Sequence, residues 1–218
     1  MNFPVRLALA ATLACAASGS IAQTVRATSG PAVVKLDAAA INAAARRASR
    51  TTVLPKPAIA IAAQRAMNLP SAPAVNDVAV FDVAHLQIGQ ANMWTDHVTY
   101  ASGGTAPILL LGNDGAKSKI NITYPASGKP NMIDCEITRS FGEGVPLSAT
   151  YLAYKSASGA STPLFTGSTP IAMGHITVAV PPAPVAAGTP VVVQITVPGG
   201  PSPTDFIMLQ ACRLYQIG

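Results

Sequence analysis

Residues 106–124 read "APILLLGNDGAKSKINITY". The apolar run from Ile108 to Leu111 ends at Gly112-Asn113-Asp114-Gly115, residue types that supply the positive φ of a tight turn. After the turn, Ile120, Ile122 and Tyr124 alternate with Lys119, Asn121 and Thr123. Side chains of a strand point to opposite faces in turn, so this period of two marks a half-buried strand. The stretch is predicted to be a β-hairpin, and it sets the texture of its surroundings as strand and turn.

The same texture runs on in both directions. "NMIDCEIT" (131–138) places Ile133, Cys135 and Ile137 on one face and Asp134 and Glu136 on the other, the latter pair expected to be solvated. "PLSATYLAYK" (146–155) is strand-like on both faces. "GHITVAVP" (174–181) and "TPVVVQITVP" (189–198) alternate again, and "TDFIMLQACRLYQI" (204–217) is long enough to cross a sheet. Upstream, "DVAVFDVAHLQIG" (77–89) reads as one strand with Val78 and Val80 inward. The connectors "YPASGKP", "SASGASTP", "PPAPVAAG" and "PGGPSP" are built from turn residues. About eight strands without a convincing helix predict an all-β fold over 76–218, an antiparallel β-sandwich of immunoglobulin-like or jelly-roll topology. The strand pattern is common to both topologies.

Residues 23–75 differ in kind. They hold no aromatic residue, and over 23–70 seven Lys or Arg stand against Asp37 alone. Ala-rich "LDAAAINAAARRAS" (36–49) and "AIAIAAQRAMN" (58–68) suit short helices, and Pro55, Pro57, Pro70 and Pro73 interrupt what lies between and after them. The segment is read as a poorly structured, partly helical Ala/Pro/Arg-rich arm or linker; docking of those helices on the domain is the other reading. The basic excess belongs to this arm, since 71–218 carries six basic residues against eight acidic ones. No aromatic residues interleave with its arginines to stack bases, and no phosphate-binding glycine motif is present, so nucleic acid is not expected as a partner.

Residues 1–22 carry a basic start at Arg6, an apolar run from Leu7 to Ala17, and small residues at Ser20 and Ala22. This pattern is that of a signal peptide, and the run is too short to span a bilayer. The expectation is export, to the periplasm, the medium or the cell surface. Cleavage would remove Cys15 and leave Cys135 and Cys212. An exported chain with two cysteines is read as carrying one disulfide. Acidic neighbours at Asp134 and Glu136 disfavour a thiolate, which argues against a reactive Cys135.

Signals for chemistry are sparse. No nucleophile-elbow motif marks a serine, and only two glutamates, Glu136 and Glu143, are present for acid–base work. His85, Asp96 and His97 form the one set of imidazole and carboxylate groups suited to a divalent metal, though without metal-site spacing. No cofactor is expected. Trp94 and Tyr100, in a segment read as a loop (93–104), are the best ligand-contacting aromatics; core packing is the competing role for a lone tryptophan. The leading expectation is a non-enzymatic binding or surface-structural module with a glycan or protein ligand. The alternatives are an assembly subunit donating 31–38 or 57–64 to a neighbour's sheet, and a hydrolase with a dispersed site that joins a histidine, a carboxylate and a hydroxyl.

Overall fold

The structure is a computed structural model that describes residues 54–82, 87–88, 91–96, 98–102, 107–112, 117–141, 145–172, 174–200, 202 and 205–218. The signal-peptide reading (1–22), the strand-donor stretch 31–38, and His85 and His97 lie outside these residues.

The chain is all-β, an antiparallel sandwich. Its described strands are β1 (Val75–Asp82), β2 (Gln87–Ile88), β3 (Ala91–Asp96), β4 (Val98–Ser102), β5 (Pro107–Leu111), β6 (Ser118–Pro125), β7 (Asn131–Arg139), β8 (Ser148–Lys155), β9 (Pro163–Ala172), β10 (His175–Val180), β11 (Pro190–Val197) and β12 (Ile207–Ile217). In the first layer, β10, β7, β12 and β5 lie side by side, with β4 beyond β5 and β1 paired to the other half of β12. In the second, β9, β8, β11 and β6 lie side by side, with β3 and β2 beyond β6. β9 serves both layers, pairing β8 over most of its length and β10 at its end. The eight strands from β5 to β12 therefore run in jelly-roll order, the topology the sequence left undecided.

That order corrects the hairpin expected at 106–124. β5 pairs with β4 and β12, whereas β6 pairs with β3 and β11 in the other layer. The glycine-bearing turn is a crossing between sheets. Gly112 shows why: its φ is +65°, and a Cβ there would come within 2.8 Å of the Pro198 carbonyl oxygen. Its N–H donates to Ser118 Oγ at 2.8 Å, and its carbonyl accepts from Gly200 N–H at 3.1 Å. The end of β5 is thus held against the β11–β12 connection and steered away from its own sheet.

The core between the layers is filled by the faces the alternation assigns. Ile120, Ile122 and Tyr124 of β6, Ile133, Cys135 and Ile137 of β7, Ile176, Val178 and Val180 of β10, and Val191, Val193, Ile195 and Val197 of β11 all lie in one buried cluster. β1 departs from expectation. Ala79 and Phe81 point inward, and Val78 is 44% exposed. A register shift between Asp77 and Ala79 is the cause. One inserted residue moves every later side chain to the opposite face.

Helix α1 (Lys56–Ala66) lies on the outer face of the first layer. Pro57 occupies the helix's first turn, where a missing N–H costs nothing. Ile59 and Ala63, four apart on one helical face, are fully buried against Met132, Tyr215 and Ile217. Lys56 Nζ meets Asp77 Oδ2 at 2.7 Å. Stretch 57–64, weighed above as a strand donor, is therefore helical and packed on its own domain.

Cys135 and Cys212 are disulfide-bonded, with Cα atoms 4.0 Å apart. They are direct cross-strand partners in β7 and β12. The bond from Ile137 N–H to the Gly174 carbonyl, 2.7 Å, sets the ladder phase. Cys135 therefore directs its backbone bonds towards β10, and its pairing with Cys212 is of the non-hydrogen-bonded kind, where side chains approach closest. The bridge joins neighbours within one sheet.

Candidate functional site

Pro170 explains where the cleft forms. β9 pairs with β10 only at Ala172↔His175 and Ile171↔Ile176. The next pair in register would be Pro170 opposite Thr177. Proline has no N–H to give, and β9 turns instead to β8, with Ser148 opposite Pro170. The Thr177 carbonyl accepts the hydroxyl of Thr169 at 2.8 Å in place of the ladder bond. By the ladder phase, Ala179 also directs its N–H and C=O away from β7, and no described residue pairs with them.

A groove of about 650 Å³ opens at this divergence. Tyr151 of β8, Ser168 and Thr169 of β9, and Thr177 and Ala179 of β10 line it. Pro181 and Pro182, Pro130, and Ala66, Met67 and Leu69 from the end of α1 and the chain after it complete the lining. Tyr151 is half-buried and stands opposite Gly167 in the β8–β9 ladder. A side chain at 167 would overlap the Tyr151 ring, so the glycine leaves room for the ring to lie across β9. Among the described residues no charged side chain lines the groove.

A buried polar cluster lies behind the groove, on the outer face of β7, β10 and β12. Asp134 Oδ1 accepts from Thr177 Oγ1 at 3.0 Å and meets His175 Nδ1 at 3.2 Å. Asp134 stands opposite Thr177 on one side and Arg213 on the other, and Glu136 stands opposite His175. Asp134 is 2% exposed and Glu136 7%. This corrects the expected solvated face: the residues are on the outer side of β7, but the strand is buried along its whole length between β10 and β12. The hydrogen bond that His175 Nδ1 gives to the Asp134 carboxylate raises the His175 pKa above its usual value, against the opposing effect of burial. Burial raises the Glu136 pKa, with His175 acting in the other direction.

The cluster joins a histidine, a carboxylate and a hydroxyl, the set a dispersed hydrolase needs. The connections differ from those of a catalytic triad. Both Thr177 and His175 converge on the same carboxylate oxygen, and the hydroxyl hydrogen goes to Asp134. An activated nucleophile gives its hydrogen to the base instead.

The residues singled out by sequence stand elsewhere. Trp94 is in strand β3 and not in a loop, its backbone opposite Asn121. Asn121 is fully buried and accepts from Gln194 Nε2 at 2.9 Å. Tyr100 is in β4, opposite Leu109, in the other layer. Asp96 lies opposite Lys119; its proposed co-ligands His85 and His97 are outside the described residues. Among the described residues no group of His, Cys, Asp or Glu is placed to hold a metal ion, and no helix is long and apolar enough to cross a membrane. No motif in the sequence marks the groove. Its nearest signal is the "GSTP" of residues 167–170, a glycine and a proline within a strand.

No protein-family model matches this chain, and no curated protein does. Among solved structures it is similar to TmCBM61 in complex with beta-1,4-galactotriose, at 8% identity and a TM-score of 0.35, over 62% of this chain and 94% of that one. It is also similar to a family 29 carbohydrate-binding module, at 14% identity and a TM-score of 0.37, over 66% of this chain and 89% of that one. A third is an isomalto-dextranase of Arthrobacter globiformis T6 complexed with panose, at 15% identity and a TM-score of 0.35, over 62% of this chain and 23% of that one. These likenesses transfer neither ligand nor site.

Proposed function

We propose that the protein is an exported, non-enzymatic binding module whose groove between β9 and β10 takes a neutral glycan. One observation carries the reading: among the described residues, the groove combines an aromatic ring, three hydroxyl side chains and apolar prolines with no charged side chain. A sugar presents an apolar ring face and a rim of hydroxyls, and such a lining answers both. The volume of about 650 Å³ lies in the range of small-ligand sites. The Cys135–Cys212 disulfide supports export, because disulfides persist in oxidising compartments.

Calorimetric titration with a panel of neutral and acidic oligosaccharides tests this reading. Binding to at least one neutral member is expected. Tyr151→Ala should weaken it about tenfold, the scale of a lost aromatic contact. Gly167→Ala, whose added methyl displaces the ring, should weaken it in the same direction, with a thermal melt to separate lost binding from lost packing of Tyr151 on the core. Binding that is indifferent to both substitutions would place the ligand elsewhere.

A further inference from the structure

We infer that the groove selects ligands by their hydrogen-bond donors, because both threonines facing it have already committed their own hydroxyl hydrogens to the protein. This rests on the reading of the groove as a glycan site. A threonine hydroxyl has one hydrogen and two lone pairs. Thr177 Oγ1 gives its hydrogen to Asp134 at 3.0 Å, and the carboxylate oxygen that takes it also faces His175 Nδ1 at 3.2 Å. Thr169 Oγ1 gives its hydrogen to the Thr177 carbonyl at 2.8 Å, the bond that stands in for the one Pro170 cannot make. Neither oxygen has a hydrogen left for the groove, and each retains lone pairs.

Ala179 supplies the complement. Its N–H and C=O point away from β7 at the place where β9 has departed, and it lines the same groove. A free hydroxyl can donate to a threonine oxygen and accept from the Ala179 N–H, a combination that an ether oxygen cannot satisfy. Sulfate, phosphate and carboxylate groups bring only lone pairs to Thr169 and Thr177 and find no cation among the described residues of the lining. The preferred ligand class is therefore a neutral chain with free hydroxyls, and the discrimination is exerted at Thr169 and Thr177: an ether, ester or sulfate oxygen has no hydrogen to give them, although the hydroxyls of Ser168 and Tyr151 in the same groove can donate to it. Asp134 acts here as a positioning residue: it orients the Thr177 hydroxyl without lining the groove.

The test is an amide chemical-shift titration of the full chain with a methyl hexopyranoside, and in parallel with the same sugar carrying methyl ethers on every hydroxyl and with its sulfate ester. Shifts at Thr169, Thr177 and Ala179 are expected with the free sugar and none there with the ether or the sulfate. Thr177→Ser should bind as the parent does. Thr177→Val, of the same shape but without the oxygen, should lose about tenfold in affinity, the worth of one hydrogen bond. A thermal melt of each variant separates lost binding from lost folding. Equal shifts with the ether, or full binding by a folded Thr177→Val, would overturn the donor rule while leaving the groove as the site. Absence of shifts at all three residues with every probe would overturn it together with the groove.

Discussion

Asp134, Glu136 and His175 sit within one patch of a sheet face, and the pKa values of Glu136 and His175 are shifted in the same direction. His175 holds its proton above the usual 6.5, because the Asp134 carboxylate bonds it in the folded state. Such a group stabilises the fold fully below the unfolded pKa and loses that contribution as pH rises through the folded value. Glu136 also titrates above its usual 4.5, chiefly through burial. Its folded form keeps a proton that the unfolded chain has released, so it too makes stability fall as pH rises. The resistance to urea should therefore decline from about pH 5 to pH 8. Glu136→Gln should remove the lower part of that slope and His175→Gln the upper part. A profile that rises across this range would contradict the assignment.

At the scale of elements, β12 is the member on which the first layer depends. It pairs with β7 along its length, with β5 at one end and with β1 at the other. The disulfide ties it to β7 across 77 residues of chain. A closed loop of that size is worth up to about 4.5 kcal/mol in the chain-entropy treatment, and measured bridges commonly deliver about 2–4 kcal/mol. The paired substitution Cys135→Ala with Cys212→Ala should lower the unfolding free energy by the latter amount, read from urea denaturation. Helix α1 makes a smaller and more local contribution. Ile59 is completely buried against β7 and β12, so Ile59→Ala should cost about 2–4 kcal/mol if the helix unfolds together with the sheet. If α1 detaches independently, hydrogen exchange will show its amides losing protection while β7 and β12 keep theirs.

Across the whole molecule, the local and non-local parts of the fold separate cleanly. Where a strand keeps strict alternation, as in β6, β10 and β11, the sequence already names the inward face, and the structure agrees residue by residue. The alternation says nothing about which strand lies alongside. Residues 106–124 carry every local mark of a hairpin, yet their two arms belong to different layers. Turn chemistry reverses the chain equally well within a sheet or between two; the choice fell to the contact of Gly112 with 198–200, which lie about 90 residues further along.

The candidate site was less legible for the same reason. Trp94 and Tyr100 drew attention as neighbours in sequence, but their strands lie in opposite layers. Tyr151, Thr169 and Thr177 drew none, since nothing local marks them and only the departure of β9 at Pro170 brings them to one groove. The sequence by itself determined the class of fold, the inward faces of the regular strands and, with Cys15 set aside by the signal-peptide reading, the pairing of Cys135 with Cys212. Tertiary structure alone decided the jelly-roll order, the face change in β1, the burial of Asp134 and Glu136, and the groove. The physical cause is range: side-chain periodicity is written along a single strand, whereas pairing, burial and clefts are set by contacts between segments far apart in the chain.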